Sequence, residues 1–150
     1  MIKKIIILFL CFAALSVQSL SVEEKFLSLK KNKVNVRYGP SLDAKIKYIY
    51  KKINLPVKQI DKKENFRRII DLKNNSGWIH TSQLREQSNS IIILESKILF
   101  KKPSNLSRPI ARLEKERLLV IKKCEKSWCH ITTDGYSGWI KADNIWGSIK

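Results

Sequence analysis

The fold is decided by the stretch Val34-Asn35-Val36-Arg37-Tyr38-Gly39-Pro40-Ser41 and by the motif Gly77-Trp78-Ile79 that follows it. The first stretch opens as a strand of alternating apolar and polar residues and breaks at a Gly-Pro turn. The second motif closes the unit with an apolar strand. The pattern recurs in degraded form as Ile98-Leu99-Phe100-Lys101-Lys102-Pro103-Ser104 and Gly138-Trp139-Ile140. The two Gly-Trp-Ile motifs are 61 residues apart, which predicts two small tandem domains of one kind.

Short strands separated by turns run through the first unit. We predict five strands, which begin at Val34, Ile46, Leu55, Phe66 and Gly77, followed by a short helical turn over Thr81–Leu84. Many short strands with turn signals between them indicate an all-β fold. Five strands in about 60 residues favour a small β-barrel. We therefore predict an all-β first domain over residues 26–85.

The second unit repeats this organisation after a polar boundary at residues 85–90. It begins with an apolar strand, Ile91–Leu94, and its segment Lys97–Phe100 aligns with Lys33–Val36. Leu118–Cys124 and Trp128–Thr132 predict a hairpin. We therefore predict a second small barrel over residues 90–148.

The N-terminal residues have the layout of a secretory signal peptide over residues 1–21. A cationic start is followed by the apolar run Ile5–Leu15 and by small residues suited to cleavage at Ser16–Ser21. The run is shorter than the ~20 residues that a membrane span needs. An uncleaved anchor and a lipoprotein modified at Cys11 are the alternatives. Cleavage predicts a periplasmic or secreted protein with no transmembrane span in the mature chain.

Two cysteines, Cys124 and Cys129, remain once the predicted signal peptide is removed. An even number of cysteines in an exported chain indicates a disulfide. Inert thiols are one alternative, and a nucleophilic Cys129 beside His130 is another. Neighbouring residues on a strand point to opposite faces, so His130 is poorly placed to activate Cys129.

The chain is strongly basic, with a formal net charge of +17 at pH 7. Loss of Lys3 and Lys4 with the signal peptide lowers this charge to +15. Such a charge favours anionic partners, among them nucleic acid, membrane headgroups and acidic wall polymers. The lysines are spread along the whole chain, and an A/T-biased coding sequence is the alternative explanation. Export makes nucleic acid the least favoured partner.

The opening and closing motifs resemble those of the bacterial SH3-like domain family, which occurs in exported wall-associated proteins. The resemblance rests on Val34–Ser41, on Gly77–His80 and on the intervening Phe66–Ile69 in the first copy. The second copy keeps Gly138–Ile140 and Trp128–Ile131 but has lost the asparagine, arginine and first glycine of the opening motif. The tandem layout looks like that of exported SH3-domain proteins of Gram-negative bacteria. The resemblance implies two five-stranded SH3-like barrels with a binding role outside the cytoplasm.

Small barrels of this type often expose a groove lined with aromatic rings. The candidate ligand-binding residues are therefore the rings and one guanidinium near the motifs: Arg37, Tyr38, Tyr48, Tyr50, Phe66 and Trp128. Phe66 and Trp128 are expected at equivalent rim positions, or else in a contact between the domains. Arg37 is alternatively a bracket for the turn at Gly39.

Two further residue types have simpler interpretations. Trp78 and Trp139 lie in apolar strands, so we expect core positions rather than ligand platforms. His80 and His130 are most simply solvated or capping residues.

No combination of residues in the sequence indicates catalysis. The acidic residues are mostly isolated among lysines, and Gly-rich phosphate loops, HExxH pairs and G-x-S-x-G elbows are missing. We therefore expect a non-enzymatic binding protein with no cofactor and no metal site. Its predicted partner is cell-wall peptide or glycan. An adaptor that binds an envelope protein and an electrostatic binder of anionic lipid or polymer are the alternatives.

Overall fold

The computed structural model describes residues 25–149, which form two antiparallel β-sheets. The first sheet, domain 1, contains β1 (Phe26–Leu29), β2 (Val34–Arg37), β3 (Ile46–Tyr50), β4 (Pro56–Lys63), β5 (Phe66–Ile70), β6 (Ser76–His80) and β7 (Leu84–Arg85). A 3-10 turn, Thr81–Gln83, lies between β6 and β7. The second sheet, domain 2, contains β8 (Ser90–Ile93), β9 (Lys97–Phe100), β10 (Pro109–Leu113), β11 (Leu118–Glu125), β12 (Trp128–Thr133), β13 (Tyr136–Lys141) and β14 (Ile145–Gly147).

The two sheets have the same topology. Domain 1 has the strand order β3-β2-β6-β5-β4-β1-β7, and domain 2 has the order β10-β9-β13-β12-β11-β8-β14. Every strand of domain 2 thus occupies the place of the strand seven earlier in the chain. The turns agree as well, because Asn54 before β4 and Glu116 before β11 adopt positive φ angles of 62° and 63°. The prediction of an all-β fold with two similar domains is confirmed.

Each sheet curls around its own apolar core. Alternation along the strands buries one face, and the cores contain matched residues: Leu27, Val36, Ile69 and Ile79 in domain 1, and Ile91, Leu99, Ile131 and Ile140 in domain 2. Tyr50 from one edge strand and Leu84 from the other pack against the same cluster in domain 1. The sheet therefore closes around the cluster as a small barrel.

The glycine of each Gly-Trp-Ile motif allows two strands to approach closely. A Cβ on Gly77 would overlap the Val36 side chain and lie 3.0 Å from the Arg37 carbonyl oxygen. A Cβ on Gly138 would lie 2.7 Å from the Phe100 carbonyl oxygen. The motif therefore needs glycine for space, because any side chain would press on the neighbouring strand.

The structure departs from the predicted strands in number and in register. Each sheet has seven strands rather than five, because the short strands β1 and β7, with β8 and β14 in domain 2, extend it at one edge. Arg37 lies opposite Trp78, and Phe100 lies opposite Trp139. Phe100 therefore corresponds to Arg37, and Lys97 to Val34. The predicted alignment of Lys97–Phe100 with Lys33–Val36 is wrong by one residue.

A tryptophan joins the two domains. The ring of Trp146 in β14 meets the ring of Phe26 edge-on, with 5.2 Å between centroids. Its indole Nε1–H donates a hydrogen bond to the Pro56 carbonyl oxygen at 3.2 Å. Buried aromatic rings with a satisfied N–H group commonly anchor such contacts.

The predicted signal peptide, residues 1–21, lies outside the described residues, as does Cys11. Residues 25–149 include no helix whose length and apolar character would let it cross a membrane.

Candidate functional site

A row of side chains crosses the outer face of each sheet in matched register. In domain 1 the row runs Arg37, Trp78, Arg68 and Asp61 across four neighbouring strands. In domain 2 the corresponding row runs Phe100, Trp139, His130 and Lys123. Domain 1 thus presents mostly charged groups where domain 2 presents mostly rings.

The two tryptophans of the motifs lie on this outer face, so the prediction of a core position is wrong for Trp78. Ile79 and Ile140 point into the cores, and the preceding tryptophans therefore point the other way. Trp139 is nevertheless buried, because the His130 ring lies 5.2 Å away and the Lys123 ammonium lies 5.2 Å from its ring centroid. Trp78 is half-buried.

Tyr48 and Tyr50 form a hydrogen-bonded chain that ends on Asp71. The two hydroxyl oxygens are 3.3 Å apart, and the Tyr50 hydroxyl donates to Asp71 Oδ2 at 2.9 Å. Asp71 is buried, and Oδ1 also accepts from the backbone N–H groups of Lys73 and Asn75. Burial is the main cause that raises the pKa of both tyrosines, with the neighbouring hydroxyl and carboxylate raising that of Tyr50 further. The pair packs against the core, and its rings meet edge-on with 5.2 Å between centroids.

Tyr38 and Arg37 lie at the turn after β2. The Tyr38 ring is 67% exposed, and the Lys47 ammonium lies 5.7 Å from its centroid. The Arg37 guanidinium donates to the Ala44 carbonyl oxygen at 2.7 Å. Arg37 therefore brackets the turn, while Tyr38 is accessible.

Phe66 and Trp128 are equivalent in position but differ in exposure. Each is the first residue of its strand after a two-residue turn, paired with Lys63 and Glu125 respectively. Phe66 is buried with its ring 5.1 Å from that of His80, so the expectation of an exposed rim position is wrong for it. Trp128 is half-buried, and its ring lies 5.7 Å from that of Phe100.

Two further predictions concern a contact between the domains through Phe66 and Trp128 and a capping role for the histidines. The contact between the domains uses Trp146 and Phe26 rather than Phe66 and Trp128. His80 caps the 3-10 turn, because its Nδ1 accepts from the backbone N–H of Ser82.

Cys124 and Cys129 form a disulfide between β11 and β12. They lie directly opposite each other, with 4.1 Å between their Cα atoms. Cys129 is buried in the core, whereas His130 lies on the outer face beside Trp139. The interpretation of Cys129 as a nucleophile activated by His130 is therefore wrong. Among residues 25–149, His, Cys, Asp and Glu side chains form no group of three or more that is suited to a metal ion.

A cleft of about 630 Å³ lies between the two domains. One wall comes from the segment between β3 and β4 of domain 1: Lys51, Lys52, Ile53 and Asn54, with Asn32 beside them. The other wall comes from domain 2 and includes Val120, Thr132, Thr133 and Tyr136. The lining thus combines ammonium, amide and hydroxyl groups with one tyrosine ring that is 49% exposed. The six residues predicted to bind ligand lie elsewhere.

Hydrogen bonds hold both walls of this cleft in place. The Asn54 side chain accepts from Arg85 Nη1 at 3.0 Å. On the opposite wall, Arg117 donates to Asp134 at 2.9 Å and to Thr133 Oγ1 at 3.3 Å. The parts of the lining around Asn54, Thr133 and Asp134 therefore need little ordering when a ligand binds. The Lys51-Lys52 pair and Tyr136 were visible in the sequence, but nothing there indicated that they would face each other.

The family described as bacterial SH3 domain matches this chain twice, over residues 30–86 and 96–147. These stretches contain the two Gly-Trp-Ile motifs and together make up well over half of the chain. The chain belongs to the bacterial SH3 domain family. The predicted resemblance and the SH3-like fold class are therefore confirmed. Membership indicates a binding module associated with the cell wall.

Two solved structures are similar to this chain, NlpC2 and NlpC1 from Trichomonas vaginalis. They are 17% and 16% identical to it, each over 83% of its length, and both have a TM-score of 0.39. The chain spans slightly less than half of each, 48% and 46%. This likeness concerns the fold alone. No curated protein matches the sequence.

Proposed function

We propose that the protein is an exported, non-enzymatic binding module that holds peptidoglycan in the cleft shared by its two SH3 domains. The observation that carries this proposal is the cleft itself, whose walls come from both domains. A volume of about 630 Å³ falls within the range of roughly 300–1,000 Å³ usual for ligand sites. A cleft with walls from both domains supports a function that needs the two modules together.

The lining suits a polymer that carries carboxylates, amides and hydroxyl groups. Lys51 and Lys52 are exposed and supply positive charge for carboxylates. Thr132 and Asn32 offer hydrogen-bonding groups, and the Tyr136 ring offers a flat apolar surface on which a sugar or peptide group can pack. Peptidoglycan combines all of these groups in one chain.

Export and the lack of catalysis are supported by separate observations. The N-terminal sequence has the layout of a signal peptide, and disulfides such as Cys124–Cys129 persist in oxidising compartments. The histidines contact aromatic rings and turn residues, and Cys129 is held in the disulfide. These contacts give the side chains structural roles, which supports a function by binding.

Sedimentation with purified peptidoglycan tests the proposal. The full chain is expressed in a Gram-negative host, and the purified protein is mixed with peptidoglycan at 0.15 M salt, where charges more than about 8 Å apart are screened. We expect saturable binding that is lost when the peptidoglycan is first digested with lysozyme. Absence of binding above the digested control would overturn the proposal.

A matched pair of double variants assigns the binding to the cleft. Lys51→Gln with Lys52→Gln should weaken binding about tenfold or more, because each charged hydrogen bond contributes about 1.5–3 kcal/mol. Lys62→Gln with Lys63→Gln removes the same charge from an exposed part of β4 outside the cleft and should leave binding unchanged. Equal losses in both variants would indicate binding by net charge and would contradict a site in the cleft.

A further inference from the structure

A second pocket lies in domain 2, around a buried lysine. The Lys97 side chain is only 6% exposed, and its Nζ donates to Glu95 Oε1 at 3.1 Å and to Asp143 Oδ1 at 2.6 Å. Lys97 occupies the position that Val34 fills in the core of domain 1. A lysine at a core position loses hydration, a cost that paired carboxylates offset only in part. Stability of the domain alone gives no reason for this substitution.

The pocket has a volume of about 210 Å³ and is lined by groups of both charges. Lys97 and Lys141 contribute two positive charges, and Glu95 and Asp143 contribute two negative charges, so these four groups sum to zero. Lys97 takes one oxygen of each carboxylate, and the two acidic side chains remain 50% and 61% exposed. Both carboxylates are therefore still open to a ligand.

Hydrogen bonds keep these carboxylates ionised and in place. Bonds from Asn144 and Lys97 lower the pKa of Glu95, and the bond from Lys97 lowers the pKa of Asp143. Both carboxylates are therefore negatively charged at neutral pH and already held in position. A cation can bind them without a change in their arrangement.

An aromatic surface continues from the pocket. Phe100 lines the pocket, and its ring meets the Trp128 ring edge-on at 5.7 Å. Lys141 also lines the pocket, and its ammonium lies 6.0 Å from the Trp128 centroid. The chain of a ligand whose charged end enters the pocket can therefore lie along Phe100 and Trp128.

We propose that this pocket binds the free α-amino-acid end of a wall peptide, with its ammonium on Glu95 and Asp143 and its carboxylate on Lys141. A neutral pocket with separated charges matches a group that carries one ammonium and one carboxylate on the same carbon. Whole ligands usually occupy about 300–1,000 Å³, so a pocket of about 210 Å³ suits an end group. The choice of a wall peptide rests on the proposed function, whereas the charge pattern stands independently of it.

Domain 1 carries different side chains at the positions that line this pocket. By strand register, Val34 replaces Lys97, Arg37 replaces Phe100 and His80 replaces Lys141. Phe66, which replaces Trp128, is buried. The resonances of domain 1 therefore serve as an internal control for any ligand that enters this pocket.

Titration of the ¹⁵N-labelled protein with meso-diaminopimelate, followed by NMR, tests the proposal. This molecule carries two such end groups, its di-N-acetyl derivative lacks the ammonium, and its diamide lacks the carboxylate. We expect saturable shifts at Phe100, at Lys141 and at the Trp128 indole N–H. Affinity should be at least about tenfold lower for either derivative, because each loses a charged hydrogen bond. Equal binding of the derivatives, or no shifts at these residues, would overturn the proposal.

Two variants and a control complete the test. Lys141→Met keeps an exposed side chain of similar length but loses its charge, and it should weaken diaminopimelate binding about tenfold. Asp143→Asn should do the same. Lys115→Met, an equal charge change at an exposed position outside the pocket, should have no effect. Unchanged binding in Lys141→Met would contradict the assignment.

This outcome is independent of the experiment on the cleft. If whole peptidoglycan binds but diaminopimelate does not, the proposed ligand of this pocket is ruled out and the cleft remains the binding site. Binding of diaminopimelate without binding of whole peptidoglycan would rule out the cleft as a peptidoglycan site. It would keep the pocket as a site for an α-amino-acid end group but would rule out a wall peptide as the source of that group.

Discussion

The two domains share one strand order but fill the same part of their cores with different chemistry. In domain 1, Val34 lies opposite Tyr50, and the Tyr50 hydroxyl donates a hydrogen bond to Asp71. Domain 2 places Lys97 opposite Leu113 and satisfies the lysine with two carboxylates. The common motif therefore determines the topology, while the edge of each core is free to diverge. This divergence gives domain 2 a charged pocket whose lining residues are replaced in domain 1.

The largest effects should come from the glycines on which both domains depend. Gly138→Ala forces a methyl group against the rigid Phe100 backbone, whereas Gly77→Ala presses mainly on the Val36 side chain. Overpacking of this kind costs about 1–3 kcal/mol, and we expect Gly138→Ala at the upper end and Gly77→Ala lower. Native-state amide exchange measures each domain separately. A smaller loss of stability in Gly138→Ala than in Gly77→Ala would contradict this ranking.

Removal of the disulfide should affect domain 2 alone. Closure of so short a loop contributes roughly 2 kcal/mol in the chain-entropy model, so Cys124→Ala with Cys129→Ala should lower the free energy of unfolding of domain 2 by about that amount. Exchange in domain 1 should be unchanged, because its matched positions carry Lys62 and Arg67. Mass spectrometry after alkylation provides the control. Two labels are expected only after reduction, and labelling before reduction would disprove the bond.

A smaller effect is expected from Tyr50→Phe in domain 1. The substitution removes the hydroxyl that donates to Asp71 but keeps the ring against the core. One such hydrogen bond contributes about 1 kcal/mol net, so domain 1 should lose about that much stability. Leu113→Met at the matched position of domain 2 is the control and should change stability less. A loss shared by both domains would indicate that they unfold together.

The smallest effects should appear as opposite pH dependences of the two domains. The raised pKa values of Tyr48 and Tyr50 stabilise domain 1 fully below the ordinary tyrosine pKa of about 10, and this contribution is lost above it. The lowered pKa of Asp143 stabilises domain 2 above the ordinary value of about 3.9, and this contribution is lost as the pH falls below it. NMR cross-peaks from each domain, followed from pH 3 to pH 11, should weaken first in domain 1 at the alkaline end and in domain 2 at the acidic end. If the cross-peaks of both domains weakened at the same pH at each end, the two domains would not differ in their pH dependence and the prediction would be wrong.

The sequence predicted the fold well because its strongest signals are local. Alternating strands and the repeated Gly-Trp-Ile motif required two similar all-β domains. The outward face of Trp78 escaped prediction, because Gly77, Trp78 and Ile79 are apolar in succession and no alternation selects a face. Strand β10 was missed because Pro109 and Arg112 weaken its pattern.

The candidate sites were harder to predict than the fold. The alignment of Lys97 failed because a lysine at a core position contradicts the pattern on which alignment depends. The cleft and the domain 2 pocket both unite residues that are distant in sequence, such as Lys52 with Tyr136 and Lys97 with Asp143. Local patterns carry no information about such pairs.

The central claim is that two SH3 domains bind one wall polymer in the cleft between them. An NMR titration of the ¹⁵N-labelled protein with soluble peptidoglycan fragments that have not been treated with lysozyme is the decisive test. We expect saturable shifts on both walls, at Lys52 of domain 1 and at Tyr136 of domain 2, with a single affinity. Shifts on only one wall, or different affinities for the two walls, would contradict it.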